Sequence, residues 1–402
     1  MRATFNPSTA RGTLAAPPSK SMAHRMLLCA GLSKDGCRVS GISESQDMLA
    51  TLDCLAAMGV RYEKNGEDVT LSGGDVFSSP KETVSCRESG STLRFFVPLF
   101  LLGTEEVTLT GHGRLMERPM EVYAELCRER GLKFEQRGAL LRLCGPLKSG
   151  TFRLRGDVSS QFVTGLLYAL PLLEGESRLE LILPVESRPY IEMTRQAQAI
   201  FGVESRWEDE NTLVIAGSQN YRATDCTVEG DWSNGAFLDG CSLLGGDVTV
   251  TGLDGESLQG DKIYKEYYKR LGENPTLDIS QCPDLGPVLM ALAAATGGAM
   301  LTGTKRLRIK ESDRGAAMAE ELKKLGVECR VEEDSIFVPA AKMMAPTEAL
   351  YGHNDHRVVM ALSLLLSKLG GTIEGAQAVS KSFPNFFEAI RSLGVEVELY
   401  ED

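Results

Sequence analysis

Six times along this chain an amphipathic run ends in a glycine and gives way to alternating residues, a polar turn and more alternation. The copies are MLATLDCLAAMGVRYEKNGEDVTLSG from Met48, MEVYAELCRERGLKFEQRGALLRLCG from Met120 and YIEMTRQAQAIFGVESRWEDENTLVIAG from Tyr190. A weaker KEYYKRLGENPTLDIS starts at Lys265, AAMAEELKKLGVECRVEEDSIFVP at Ala316, and FFEAIRSLGVEVELYED at Phe386. The glycines are Gly59, Gly131, Gly202, Gly272, Gly326 and Gly394. A helix that stops in the left-handed conformation favours glycine there, and the alternation around turns such as NGED or EEDS predicts a hairpin after each helix. Repeats at such intervals imply an α/β protein built from one supersecondary unit used six times.

At 402 residues the chain exceeds what one hydrophobic core usually supports. Six units then imply two domains of three. The polar, glycine-rich VEGDWSNGAF near residue 230 suits a crossover, so the expected boundaries are 16–229 for one domain and 1–15 with 230–402 for the other. The first fifteen residues are too few to fold alone and are expected to pair with the second half.

The net charge of −12 argues against nucleic acid as a partner but leaves room for an anionic small substrate, because a cleft can gather cations locally. The opening MRATFNPSTARGTLAAPPSK lacks an apolar signal core, and the longest apolar runs are far short of the ~20 residues that span a bilayer. The cytoplasm is the expected compartment. Ten scattered cysteines without a CxxC pair read as small reduced core residues.

Between the repeats lie turns loaded with cations and hydroxyls. PPSKSMAHRM sets Lys20, Ser21 and Arg25 at the start of a helix, whose free N–H groups favour anions. ESGSTLRFF offers the small Gly90, GHGRLMERP carries Arg114 and Arg118, and DVSSQF puts Ser159, Ser160 and Gln161 before an apolar helix. SRPYIEMT supplies Ser187 and Tyr190, and CPDLGPV places Asp284 at the mouth of a buried helix. RLRIKESDR crowds Arg306, Lys310, Glu311 and Arg314 together; GHNDHRVV adds Asp355, His356 and Arg357, and VSKSFP adds Lys381. Each has a bland reading as a helix cap or a charged turn, and for Arg25 that reading is a wet helix face. HNDH lacks a convincing third ligand and is not expected to hold a metal. Neither GxxxxGK[ST] nor GxGxxG occurs. SSPK at 78–81 matches the SxxK of penicilloyl serine enzymes, but its proline disfavours the helical turn that motif needs, so it reads as a loop.

In this order, SKSxxxR (19–25), RxxxRP (114–119), SSQ (159–161), RIKESDR (308–314), NDHR (354–357) and KSFP (381–384) resemble the 5-enolpyruvylshikimate-3-phosphate synthase family from Lys20 to Phe386. The resemblance implies the enolpyruvyl transferase fold, a two-domain inside-out α/β barrel with three α/β units per domain and the active site in the cleft between them. It implies transfer of the enolpyruvyl group of phosphoenolpyruvate to the 5-hydroxyl of shikimate 3-phosphate, with phosphate released, no cofactor, and a monomer as the usual state. Lys20, Gly90, Arg114, Gln161, Arg314, Arg357 and Lys381 would hold phosphoenolpyruvate. Lys20, Ser21, Arg25, Ser159, Ser160, Gln161, Ser187, Tyr190, Asp284 and Lys310 would hold shikimate 3-phosphate. Glu311 would shuttle the methylene proton, Asp284 would accept the hydroxyl proton, and Lys20 would protonate the leaving phosphate.

The chain departs from the family at Arg306, where an asparagine is frequent, and at Glu88 and Ser89. Glyphosate, which competes for the phosphoenolpyruvate site in this family, is expected to find a small Gly90. UDP-N-acetylglucosamine enolpyruvyl transferases share the fold but have a Lys-Asn pair near the N-terminus and a loop cysteine. Here Ser21 follows Lys20 and TGHGRLMERP has no cysteine. An inactive anion-binding protein on the same fold is the other alternative, and it would be expected to have shed the buried charges that remain here.

Overall fold

A computed structural model of the chain describes every residue except 75, 76, 78, 79 and 402; the two serines of SSPK lie outside the described residues. The chain divides into two compact units, Met1–Ser19 with Glu229–Asp402 and Lys20–Val228. Each has its own apolar core.

The unit Lys20–Val228 holds three four-stranded sheets of one design. In one of them Val84–Ser85 runs parallel to Val107–Thr110, which pairs antiparallel with Leu140–Cys144, which pairs antiparallel with Lys133–Arg137. The hairpin register is fixed by alternation: Leu141 and Leu143 point into the core, while Leu140 and Arg142 face solvent. The chain closes a sheet by bringing Cys226–Thr227 back alongside Cys37–Ser40. In the other unit Thr276–Asp278, Gly298–Thr302, Ser335–Pro339 and Arg330–Val331 repeat the design.

Two of the six copies depart from the sequence reading. After the fourth, the helix Tyr264–Arg270 ends at the left-handed Gly272, but no hairpin follows. Thr276–Asp278 instead lies parallel to Gly298–Thr302, because the residues beyond Ser280 enter the next helix and leave no second strand. The fourth sheet is therefore a parallel pair, Asp247–Thr251 with Arg11–Ala15. After the sixth, the chain ends with Val397–Tyr400, and the missing hairpin partner is the first strand, Arg2–Phe5, in register Thr4 to Glu398. The other edge of Arg2–Phe5 pairs with Gly371–Glu374.

All six repeat glycines have positive φ, between 65° at Gly131 and 104° at Gly272. Each ends an amphipathic helix. The helix that opens each unit is different: Lys20–Leu32, Gly90–Phe100, Ser160–Ala169, Trp232–Leu243, Gly286–Thr296 and His356–Leu369 are buried along most of their length. Runs such as FFVPLF and VLMALAAA suit that place, since a helix apolar all round must be covered all round. The ten cysteines are unpaired, seven of them buried. None of the described helices is long and apolar enough to cross a membrane.

Candidate active site

Nearly every residue singled out for chemistry sits at the N-terminal end of a helix, and several of those helices are buried ones. There the backbone N–H groups are unspent and the helix dipole favours anions. Side chains already cap several of these ends: Ser89 accepts from Thr92 N, Ser159 from Gln161 N and Asp355 from Arg357 N.

In the unit Lys20–Val228, Lys20 opens its helix and donates to Asp47 Oδ2 at 2.9 Å. Arg25, one turn on, is buried rather than on a wet face. It donates to the Ser21 carbonyl at 2.6 Å, to Thr194 Oγ1 at 3.0 Å and to the Tyr190 carbonyl at 2.9 Å. Burial pulls its guanidinium below the usual value. Gln161 accepts from Arg94 Nη1 at 2.7 Å and donates to Ser91 Oγ at 2.8 Å, so two helix starts are tied together. Ser160 and Ser187 are buried, and Ser187 is left-handed at φ 55° just ahead of the helix Arg188–Ile200 that carries Tyr190. Beneath these residues runs a chain of buried polar groups. His24 Nδ1 lies 2.7 Å from Thr51 Oγ1, which lies 2.9 Å from Thr92 Oγ1, which donates to Ser89 Oγ at 2.8 Å. Burial holds the His24 imidazole well below its ordinary pKa, and Lys20 and Arg25 add to the effect.

In the loop of residues 112–119, the Arg114 side chain is 59% exposed and pairs with Glu117, 3.4 Å away. Arg118 is the buried arginine of that loop, and its guanidinium lies over Gly90, where a Cβ would come within 2.6 Å of Arg118 Cζ. Gly90 thus makes room for an arginine of this chain. Arg118 Nε is buried without a hydrogen-bond partner among the described residues.

In the other unit the charges interlock more tightly. Asp284, at the entrance to Gly286–Thr296, accepts from Lys310 Nζ at 3.1 Å and Arg314 Nη1 at 2.8 Å through Oδ1, and pairs with Arg357 Nη2 at 3.2 Å through Oδ2. Arg314, only 1% exposed, also donates to Glu311 Oε2 at 2.7 Å and Asp355 Oδ2 at 2.9 Å. Burial opposes the charge on Arg314, but Asp355, Glu311 and Asp284 together raise its pKa. Burial pulls the Lys310 ammonium down to about 8; Arg314 and Arg306 push the same way, while Asp284 and Glu311 resist. Arg306 is buried and donates to the Ser280 carbonyl. Lys381 donates to the Asn354 carbonyl at 2.6 Å. The Nε and Nη1 of the buried Arg357 have no hydrogen-bond partner among the described residues. Buried donors are nearly always satisfied, so groups left open beside a charged cluster are suited to a bound anion.

Two supporting carboxylates escaped the choice of site residues. Asp47 looks like an ordinary acid in a first helical turn, and Asp355 looks like a cap. Each turns out to hold a site cation. Glu320, Glu321 and His353 bring three metal-capable atoms within 4.8 Å of one another, but the Glu321 oxygens are already engaged by Lys324, His353 and the Tyr351 N–H.

The sequence model of EPSP synthase (3-phosphoshikimate 1-carboxyvinyltransferase) matches residues 6–390. The 3-phosphoshikimate 1-carboxyvinyltransferase of Clostridium kluyveri is 41% identical over 422 residues, covering 98% of each chain. That of Clostridium novyi is 36% identical over 419 residues, covering 96% of each. Among solved structures, an EPSP synthase from Acinetobacter baumannii superposes with a TM-score of 0.79 at 23% identity and full coverage of both chains. The enolpyruvyl transferase NikO from Streptomyces tendae does so at 0.80 and 14% identity, covering 99% of this chain and 98% of that one. The two structures share the fold, and the relatives share the sequence along almost its whole length. The chain belongs to the EPSP synthase, or 3-phosphoshikimate 1-carboxyvinyltransferase, family.

Proposed function

We infer that the chain is a transferase that moves the enolpyruvyl group of phosphoenolpyruvate to the 5-hydroxyl of shikimate 3-phosphate and releases phosphate, in aromatic amino-acid biosynthesis. One observation carries the assignment of roles: two carboxylates, Asp284 and Glu311, are bound to the same buried guanidinium at 2.8 and 2.7 Å, with Lys310 and Arg357 beside them. The reaction needs one carboxyl to give a proton and one to take one, among cations that hold four substrate anions.

In the proposed sequence, Glu311 protonates the methylene carbon of phosphoenolpyruvate as the 5-hydroxyl oxygen bonds to the central carbon. Asp284 accepts the hydroxyl proton. From the tetrahedral intermediate phosphate departs, protonated by Lys20, and the methyl group returns its proton to Glu311. Bound substrate anions offset the field of Arg314 and Lys310, which favours the protonated Glu311 needed for the first step. Arg314, Arg357, Lys381, Lys20, Gln161, Gly90 and one arginine of the loop that carries Arg114 and Arg118 would hold phosphoenolpyruvate; the burial of Arg118 favours it over the exposed Arg114. Ser21, Arg25, Ser159, Ser160, Ser187, Tyr190 and Lys310 would hold shikimate 3-phosphate.

Phosphate release from phosphoenolpyruvate, measured with shikimate 3-phosphate or UDP-N-acetylglucosamine, tests this. Release is expected only with the first acceptor. Release only with the sugar nucleotide, or with neither from folded protein, would overturn the reading.

The loop that carries both arginines gives a sharper outcome. Arg118→Met should raise KM for phosphoenolpyruvate by about tenfold or more, as expected for a lost charge-assisted contact. Arg114→Met, at an exposed ion pair, should stay within about twofold of wild type. Steady-state kinetics of the two variants decide between the arginines.

Lys310 adds a pH dependence. A bound anion favours the charged ammonium and raises its pKa, so binding near pH 8 should take up protons. Affinity for shikimate 3-phosphate should therefore fall as pH rises through about 8. Titration calorimetry in two buffers of different ionisation enthalpy would show the uptake, and Lys310→Arg should abolish it.

A further inference from the structure

The strand Leu350–Tyr351 leads into a turn, residues 352–355, in which two successive non-glycine residues are left-handed: His353 at φ 48° and Asn354 at φ 51°. L residues avoid this conformation, and a pair of them persists only where surroundings impose it. The carboxylate that meets this segment is that of Glu321. Fully buried, it accepts from the Tyr351 N–H at 2.8 Å, lies 2.9 Å from His353 Nε2 and pairs with Lys324 Nζ at 3.0 Å.

Glu321 follows Arg314 by seven residues, two turns along the helix Arg314–Lys324, so both project from one face. Arg314 holds Asp355 at the far end of the turn. One helix therefore grips the turn at both ends. The turn delivers two things. Its Asn354 carbonyl receives the Lys381 ammonium at 2.6 Å, and its Asp355 caps the helix that presents Arg357. Tyr351 stacks edge-on against His353, with ring centroids 5.0 Å apart, which fixes the imidazole from the other side. Burying an ionised carboxylate is a costly way to secure a strand end if packing were its only purpose.

We propose that Glu321 and His353 are positioning residues for the phosphoenolpyruvate end of the site: they impose the left-handed turn that aims the Asn354 carbonyl at Lys381 and sets the start of the Arg357 helix. The proposal rests on the functional reading above, in which Lys381 and Arg357 hold phosphoenolpyruvate.

Glu321→Gln and His353→Gly, assayed with both substrates varied, test it. Glutamine leaves one acceptor where several donors converge. Glycine removes the imidazole at a position whose φ it tolerates, so His353→Gly should fold with a melting temperature close to wild type. Both variants should raise KM for phosphoenolpyruvate by about tenfold, with kcat and KM for shikimate 3-phosphate within about twofold. A purely structural role would leave His353→Gly at the wild-type KM, and that result overturns the proposal even if Glu321→Gln does not fold. Equal losses for both substrates would overturn it too. Failure of the wild type to release phosphate with shikimate 3-phosphate would instead overturn the functional reading, and the proposal with it.

Discussion

Replacing Glu311 by glutamine should lower kcat for phosphate release by about 10²–10⁴-fold, the range supplied by a positioned acid–base group. KM for phosphoenolpyruvate should move by less than about threefold, because an interaction made only in the transition state affects kcat and leaves binding alone. The geometry makes this a clean substitution. Glu311 accepts from Arg314 Nη2 at 2.7 Å, and the glutamine carbonyl can accept the same hydrogen bond. What glutamine cannot do is exchange a proton with carbon. Asp284 offers no such separation, since three cations converge on it and its loss would disturb binding, charge balance and chemistry together. If Glu311 were only the solvated start of the helix Arg314–Lys324, the variant would turn over at close to the wild-type rate. Stopped assays with both substrates saturating distinguish the two outcomes by orders of magnitude.

The repeat was legible because it depends on local chemistry. A helix that must stop within one residue needs a left-handed position, and glycine marks it in all six copies. The missing fourth hairpin was not marked in this way. It depends on where the residues after Ser280 go, and they are claimed by a neighbouring helix. The last repeat is completed by the first strand, a pairing across almost the entire chain that only the sheet reveals. Among the charged loops, the sequence shows which residues carry the charge but not always which side chain turns inward. Arg114 and Arg118 are both cations in one short loop. Arg118 precedes Pro119 and has extended backbone at ψ 145°, and its side chain ends up over the gap left by Gly90. That gap lies on another helix, so no property of the loop itself separates the two arginines. Asp47 and Asp355 escaped for the same reason: one looks like a first-turn acid and the other like a cap until the cation it holds, Lys20 or Arg314, is brought to it by tertiary packing.

Arg314→Met should abolish phosphate release and also destabilise its unit by about 3–5 kcal/mol, the usual cost of breaking a buried ion pair by removing one partner. Arg314 is the common counter-ion of Asp284, Glu311 and Asp355, and Asp355 is itself fully buried. Ser312 donates to Asp355 at 3.1 Å and the Arg357 N–H does so at 2.9 Å, but neither supplies a formal charge. Lys310 and Arg357 still attend Asp284, so Asp355 is left the most exposed to the loss. The pH dependence identifies the cause. Without the guanidinium, the clustered carboxylates take up protons at a higher pH in the folded state than in the unfolded chain, where they titrate near 4. A folded-state pKa raised in this way favours the folded state progressively as pH falls through it. The stability deficit of the variant should therefore be largest at pH 8 and shrink toward pH 5, and urea unfolding of wild type and variant at both values would show it. A deficit of equal size at both would point to lost packing around a long side chain instead of unbalanced charge. In that case the three carboxylates would have to be neutralised by groups other than Arg314, and the arginine could no longer be treated as the electrostatic centre of the site.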